Sequence, residues 1–228
     1  MRGRNRAWNL LLNAHIPGVK ASHLRKRAHL KSHGTLDLYG QAQTPPGFRY
    51  AADVFSVTDE HAFVREFESL PFKPFEFHGY LGKRRIVSYG RRYDYGVRAL
   101  RDVEAIPACL QPLKEIASRF SGIPATAFAQ ALVTEYPPGA GIGWHRDKPM
   151  FEDVVGVSFL APCVLRLRRK AGTGWERRSV QIEPRSAYLL RGPVRDEWEH
   201  SIAPPNVLRY SVTFRTLRPD YVRPSQPV

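Results

Sequence analysis

A chain of 228 residues with 43% hydrophobic and 25% charged side chains can build one domain-sized core, and no run approaches the ~20 apolar residues of a membrane-spanning helix. Its two cysteines, Cys109 and Cys163, make neither a disulfide framework nor a zinc cluster, and predict reduced thiols in a cytoplasmic protein. A formal net charge of +14 points to a polyanionic partner, nucleic acid being the commonest.

That charge is uneven: residues 1–34 hold eight Lys or Arg and no acid, while residues 35–228 carry 27 bases against 21 acids. Residues 1–34 lack sustained periodicity and predict a basic, disordered extension. A nucleic-acid-binding arm, a transit peptide and upstream sequence annexed by an early start codon compete as its origin. Residues 37–50 read as an ordered lead-in with a turn at Pro45-Pro46-Gly47. The first helix is expected to begin near Thr58 as N-cap, with Asp59 and Glu60 in its first turn and Phe63, Phe67 and Leu70 along one face. A strand pair is expected over residues 75–81 and 85–89, turning at Gly82-Lys83, followed by a loop over 91–96. A second helix runs from about Pro107 to Phe120, striped by Leu110, Leu113, Ile116, Ala117 and Phe120, and Gly122 ends it.

From residue 127 short strands follow one another: 128–136, 154–160, 164–169, 179–182, 187–190, 197–202 and 209–217. Gly and Pro punctuate them, and no helix is expected between them. This pattern predicts an antiparallel sandwich or jelly roll, and the two preceding helices make the whole α+β.

Residues 141–150, GIGWHRDKPM, contain the one His-x-Asp of the chain, His145-Arg146-Asp147. The triplet alone is weak. If 144–147 is extended, side chains two apart face the same way and both can reach one ion. His200, on a late strand, is the third candidate. Two His and one carboxylate form the facial triad of non-haem Fe(II) oxygenases, with zinc and a bound water as the chemical alternative. In residues 209–215 strict alternation puts Arg209, Ser211, Thr213 and Arg215 on one face and Tyr210, Val212 and Phe214 on the other. Two inward arginines suit a dicarboxylate such as 2-oxoglutarate. On an edge strand they would instead sit in solvent. Phosphate and stacking contacts are offered by Lys83-Arg84-Arg85 and by Arg91, Arg92, Tyr93 and Tyr95. The two tyrosines can equally pack a strand end. Trp144, pointing opposite to His145, is expected in the core, and Arg166 and Arg168 on a solvated sheet face. His61 and His78 read as structural or surface residues.

Together, LVTEYPPGAGIGWHRD (132–147), His200 and RYSVTFR (209–215) resemble the AlkB-type Fe(II)/2-oxoglutarate-dependent dioxygenases over about residues 127–217. The upstream helices and residues 79–95 are similar in layout to that family's substrate-facing part. The resemblance implies a double-stranded β-helix (jelly roll) core over 127–228, behind an N-terminal extension, 35–126, that carries the helices and nucleotide-recognition strands and loops. It implies Fe(II) held by His145, Asp147 and His200. Tyr136 and Arg209 would bind the distal carboxylate of 2-oxoglutarate, with Arg215 near its iron-chelating end. With O2 as the other co-substrate, it implies oxidative dealkylation of alkylated nucleobases by a monomer acting on DNA in preference to RNA, with no membrane partner. Three departures matter: Thr134 stands where the family often has Asn, Lys148-Pro149 where its bacterial prototype places a second, base-contacting acid, and the short gap from His200 to Arg209 implies a tighter turn at Pro204-Pro205. A 2-oxoglutarate-dependent hydroxylase of a protein or small molecule is the alternative enzyme. A non-catalytic jelly-roll module that binds nucleic acid is the alternative of another class.

Overall fold

The computed structural model describes residues 44–77, 80–94 and 99–221, so the basic extension 1–34 lies outside the described residues. Its elements, in order, are β1 (Phe48–Ala51), α1 (Val57–Glu68), β2 (Lys73–Phe77), β3 (Tyr80–Asp94), β4 (Ala99–Asp102), α2 (Gln111–Ser121), β5 (Phe128–Tyr136), β6 (Ile142–His145), β7 (Phe151–Phe159), β8 (Cys163–Ala171), β9 (Gly174–Ile182), β10 (Ala187–Leu190), α3 (Pro193–Asp196, a single turn), β11 (Glu199–Ile202) and β12 (Arg209–Leu217).

The first helix starts earlier than expected. Ser56, not Thr58, is the N-cap, because only Ser56 stands three residues before Asp59 and can form the reciprocal capping box. The Asp59 N–H donates to Ser56 Oγ at 3.1 Å, and the Ser56 N–H to Asp59 Oδ2 at 3.1 Å. The α2 helix ends at Gly122, whose φ of +75° suits glycine. Both helices lie on one face of the larger sheet. Phe63 and Phe67 of α1, with Phe55 beside it, meet Phe159 edge-on or tilted, and Phe67 also meets Tyr210. Leu113 and Ala117 of α2 join the same buried cluster, with Val133, Val157, Val212 and Phe214 of the strands beneath.

All the strand pairs among the described residues are antiparallel. The larger sheet runs β1-β10-β7-β12-β5-β3-β2, with β4 added to β3; the smaller runs β6-β11-β8-β9. A second cluster, including Tyr136, Leu165, Leu167, Ile182, Tyr188 and Leu190, draws on strands of both sheets. The fold is therefore the α+β jelly roll that the sequence led us to expect, except that one helical turn, α3, led by Pro193 after Gly192, stands between β10 and β11 where no helix was expected. The strands of the 35–126 extension join the larger sheet, with β5, β7, β10 and β12 of the 127–228 core. Because β12 lies between β5 and β7, Arg209 and Arg215 are buried, not on an edge in solvent.

The β2–β3 hairpin departs from expectation. Phe77 pairs with Tyr80, so β3 runs straight through Gly82-Lys83. Gly82 lies against Phe75, where the β2 register is interrupted between Pro74 and Glu76, so the glycine marks an irregular pairing and not a turn. Beyond Gly90 (φ +80°), β3 leaves β5 and pairs instead with β4. The 91–94 segment expected as a loop is therefore strand.

Candidate metal and co-substrate site

Strands β6 and β11 pair with His145 directly opposite His200, which puts both imidazoles on one face, their centroids 4.2 Å apart. The His145 Nδ1 lies 2.9 Å from the Gly143 carbonyl oxygen. A carbonyl only accepts, so the proton sits on Nδ1 and the Nε2 lone pair is left for a metal. The strand ends at His145, so Asp147 reaches the same place from the chain after it, not from an extended 144–147 segment. Asp147 Oδ2 lies 3.7 Å from His200 Nε2.

The other carboxylate oxygen is committed. Asp147 Oδ1 accepts from Arg215 Nε at 2.9 Å and Nη2 at 2.7 Å. Arg215 Nη1 in turn donates to Gln130 Oε1 at 2.9 Å, directly across β12 and β5. Gln130 Nε2 donates to the Arg91 carbonyl at 2.6 Å and to Ser88 Oγ at 3.1 Å. A continuous set of hydrogen bonds thus runs from Asp147 to β3. Among the described residues no three His, Cys, Asp or Glu side chains are drawn together as a finished metal-ligand group. His145, Asp147 and His200 are neighbours, with one carboxylate oxygen held by Arg215.

Electrostatics prepares these groups for a cation. Burial opposes ionisation of Asp147, but Arg215, helped by His200 and Arg195, outweighs it and holds the carboxyl well below its usual range. Burial, with His145 alongside, pushes the His200 pKa down to about 3, and burial also lowers that of His145. Both imidazoles are therefore neutral at neutral pH, the form that ligates metals.

Arg209, opposite Tyr136 on the same face of β12 as Arg215, is fully buried. Its guanidinium carbon lies 4.9 Å from the Tyr136 ring centroid, and Nη2 donates to Ser158 Oγ at 3.0 Å. Among the described residues Nε and Nη1 are buried with no hydrogen-bond partner. A buried guanidinium lacking a counter-charge is costly, so the site calls for an anionic guest. Tyr188 of β10 lies directly over Gly156 of β7, where any Cβ would run into its ring. Burial pushes the Tyr188 phenol far above its usual pKa, so it stays protonated beside Arg209 and Tyr136. Sequence reasoning missed Ser158, Tyr188, Gln130 and Arg195. The one available signal was Gly156, a glycine inside an apolar strand, which marks a close approach. Arg195 Nη2 donates to the Lys148 and Phe151 carbonyls at 2.6 and 2.8 Å, fastening the loop that follows Asp147.

The expected substrate contacts fare unevenly. Arg91 is half-buried, and Arg92 and Tyr93 lie on the β3–β4 pair opposite Arg101 and Leu100; Tyr95 and His78 lie outside the described residues. Arg85 is spent on structure, since its Nε and Nη2 each donate to Glu135 at 2.7 Å. Arg84 stacks over Phe75 at 3.7 Å, and its charge is a minor contributor to the lowered His145 pKa. Trp144 corrects the core expectation. It is half-exposed, with the guanidinium carbons of Arg166 and Arg168 at 5.4 and 4.3 Å from its ring centroid. His61 is on the surface.

A family model described as "2OG-Fe(II) oxygenase superfamily" matches residues 49–215. Among curated proteins, the chain is 29% identical over 146 residues to the Arabidopsis thaliana "Alkylated DNA repair protein ALKBH8 homolog", covering 54% of this chain and 42% of that protein. It is also 29% identical over 107 residues to "Uncharacterized protein L905" of Acanthamoeba polyphaga mimivirus, covering 41% of this chain and 50% of that protein. The chain thus spans half or less of the length of these relatives. A solved structure described as "The structure of OsALKBH1" shares the fold, with a TM-score of 0.57 at 17% identity over 76% of this chain and 98% of that one.

Proposed function

Because this chain belongs to the 2OG-Fe(II) oxygenase superfamily, whose members use Fe(II), 2-oxoglutarate and O2, we propose that it is an AlkB-type dioxygenase that removes alkyl groups oxidatively from nucleobases, in DNA in preference to RNA. The observation that carries the reading is a buried face with two unmet demands, neutral imidazoles beside a carboxylate at one place and an unpartnered guanidinium at another. In this reading His145, Asp147 and His200 hold the iron, and Arg209 with Tyr136 takes the distal carboxylate of 2-oxoglutarate. When bound, iron and co-substrate supply the oxidation, in which 2-oxoglutarate and O2 yield succinate and CO2 and one oxygen atom enters a substrate C–H bond.

The chain's own part is positioning. His145 and His200 offer lone pairs without first losing a proton, since burial has already removed it. Arg215 engages Oδ1 of Asp147 and so directs Oδ2 towards the histidines. Arg209 anchors the far end of the co-substrate, and the surrounding apolar cluster, with Leu165 and Leu167, excludes water. A substrate carbon hydroxylated next to nitrogen becomes a hemiaminal, which collapses to aldehyde and the unmodified base.

Nucleic acid as the substrate is supported by the net charge and by the words "alkylated DNA repair" in the Arabidopsis relative's name. Base preference does not follow from the family pattern, since Lys148-Pro149 supply no carboxylate and the Pro149 carbonyl is occupied by Arg218 Nε at 2.8 Å. The test is release of succinate and formaldehyde with Fe(II) and 2-oxoglutarate across DNA and RNA oligonucleotides bearing different N-alkyl lesions. Lesion-dependent release above the uncoupled background is expected. Background release on every oligonucleotide would sink the nucleobase reading and favour a protein or small-molecule substrate. Wild-type turnover by His145→Ala would sink the enzyme reading.

A further inference from the structure

The back of the smaller sheet carries residues for which the interior has no use. Register identifies them. Glu199 pairs with Arg168 and Ser201 with Arg166, while His200 between them turns inward. On the next strand Arg177 lies opposite Arg168, and Trp175 opposite Lys170. Trp144, which precedes His145 on β6, shares the outer face. Arg166, Arg168, Lys170 and Arg177 set four cations there against one carboxylate, Glu199.

Three of these cations, Arg166, Arg168 and Lys170, lie over indoles. Arg168 lies over both Trp144 and Trp175, its guanidinium carbon 4.3 and 4.1 Å from their ring centroids, and Lys170 Nζ lies 4.4 Å from that of Trp175. The accompanying hydrogen bonds use only Nε: Arg166 Nε donates to Ser201 Oγ at 3.1 Å and Arg168 Nε to Glu199 Oε2 at 2.6 Å. The Nη pairs, the prongs that grip a phosphate, take no protein hydrogen bond among the described residues.

We propose that this face is a platform for a single strand of nucleic acid, separate from the catalytic interior. Phosphates would sit on the guanidinium forks and bases on the exposed parts of Trp144 and Trp175, the combination that binds single strands with little sequence preference. The face is poorly suited to other partners. Val164, 39% exposed, is its one large exposed aliphatic side chain among the described residues, too little for a lipid surface or for the dry centre of a protein interface. Since β6 and β11 bear the platform on one side and the histidines on the other, a strand held outside lies one layer of sheet from the oxidising centre. The inference stands on charge and stacking, not on the dealkylation reading, and its test needs no lesion and no turnover.

The test is fluorescence anisotropy of the full chain with labelled, unmodified single-stranded DNA or RNA of about 20 nucleotides, longer than one site of roughly 4–16, across a range of salt. The triple variant Arg166→Gln, Arg168→Gln, Arg177→Gln is expected to reduce the slope of log affinity against log salt by about 2, at roughly 0.7 per lost phosphate contact. Trp175→Ala is expected to weaken binding about tenfold. A control triple on the helices, Arg65→Gln, Lys114→Gln, Arg119→Gln, should keep the wild-type slope, and both platform variants should keep 2-oxoglutarate turnover without substrate. If the platform triple proves unstable, Arg177→Gln alone should reduce the slope by about 0.7. Wild-type binding by the platform variants, or equal loss in the control triple, would overturn the proposal. So would loss of binding to phosphatidylserine vesicles by the platform triple while oligonucleotide binding persists.

Discussion

Removing a guanidinium from water costs several kcal/mol even after relaxation, and Arg209 is fully buried, donating to the neutral Ser158 Oγ and facing no carboxylate among the described residues. Such a residue lowers the stability of the empty fold and is compensated when a carboxylate arrives. Replacing it by a side chain of similar length without charge separates the two effects. Arg209→Met is expected to raise the melting temperature of the ligand-free protein. It is also expected to raise the KM for 2-oxoglutarate by about 30-fold or more, the 2–5 kcal/mol scale of a buried charge pair. Steady-state kinetics and thermal melts check the two halves, and an unchanged KM would remove Arg209 from the co-substrate site. Gln130 works at the same scale. Gln130→Leu leaves Arg215 Nη1 and the Arg91 carbonyl without the partners they have now, a loss of about 1–3 kcal/mol in stability. Since the freed Arg215 still grips Asp147, denaturant unfolding should register more of this change than metal affinity does.

At the scale of elements, what was legible depended on how many faces of a strand are buried. The bounds of β5, β10 and β12 were readable to the residue, because β12 alternates between an apolar face under the helices and a polar face within, and the pattern has no other solution. The β2–β3 hairpin was not readable. Gly82 carries the same sequence signal at an irregular pairing as at a turn, and only long-range pairing with β5 separates the two. Trp144 was placed on the correct side of β6 but not in its true surroundings, because alternation gives a direction and says nothing of what covers it. Likewise His-x-Asp spacing could not say that Asp147 lies beyond the strand end, nor that Arg215 holds it. The helix start depends on one hydrogen-bonded pair, so Ser56→Ala is expected to cost about 1 kcal/mol and Thr58→Ala much less. Chemical denaturation of the two variants decides which residue caps α1.

For the molecule as a whole, the two unmet demands of the interior predict how ligands stabilise it. A ligand that binds only the folded state adds RT ln(1 + [L]/Kd), about 2.7 kcal/mol at a hundredfold excess over Kd. The cluster around Asp147 and the cluster around Arg209 lie on one buried polar face that includes β12, at opposite ends of its 209–215 segment. A divalent metal alone should therefore raise the melting temperature through the first, and 2-oxoglutarate should add a second increment by bridging both. Using a metal that does not turn over, such as Mn(II) or Zn(II), keeps the measurement free of chemistry. His200→Ala is expected to abolish the metal increment and most of the 2-oxoglutarate increment with it. Arg209→Met is expected to keep the first and lose the second. The asymmetry is the useful part: if 2-oxoglutarate stabilised His200→Ala as fully as wild type, the co-substrate would bind through arginine alone. A full metal increment in His200→Ala would require the metal ligation assigned to His200 to be abandoned, while the family membership of the chain would stand.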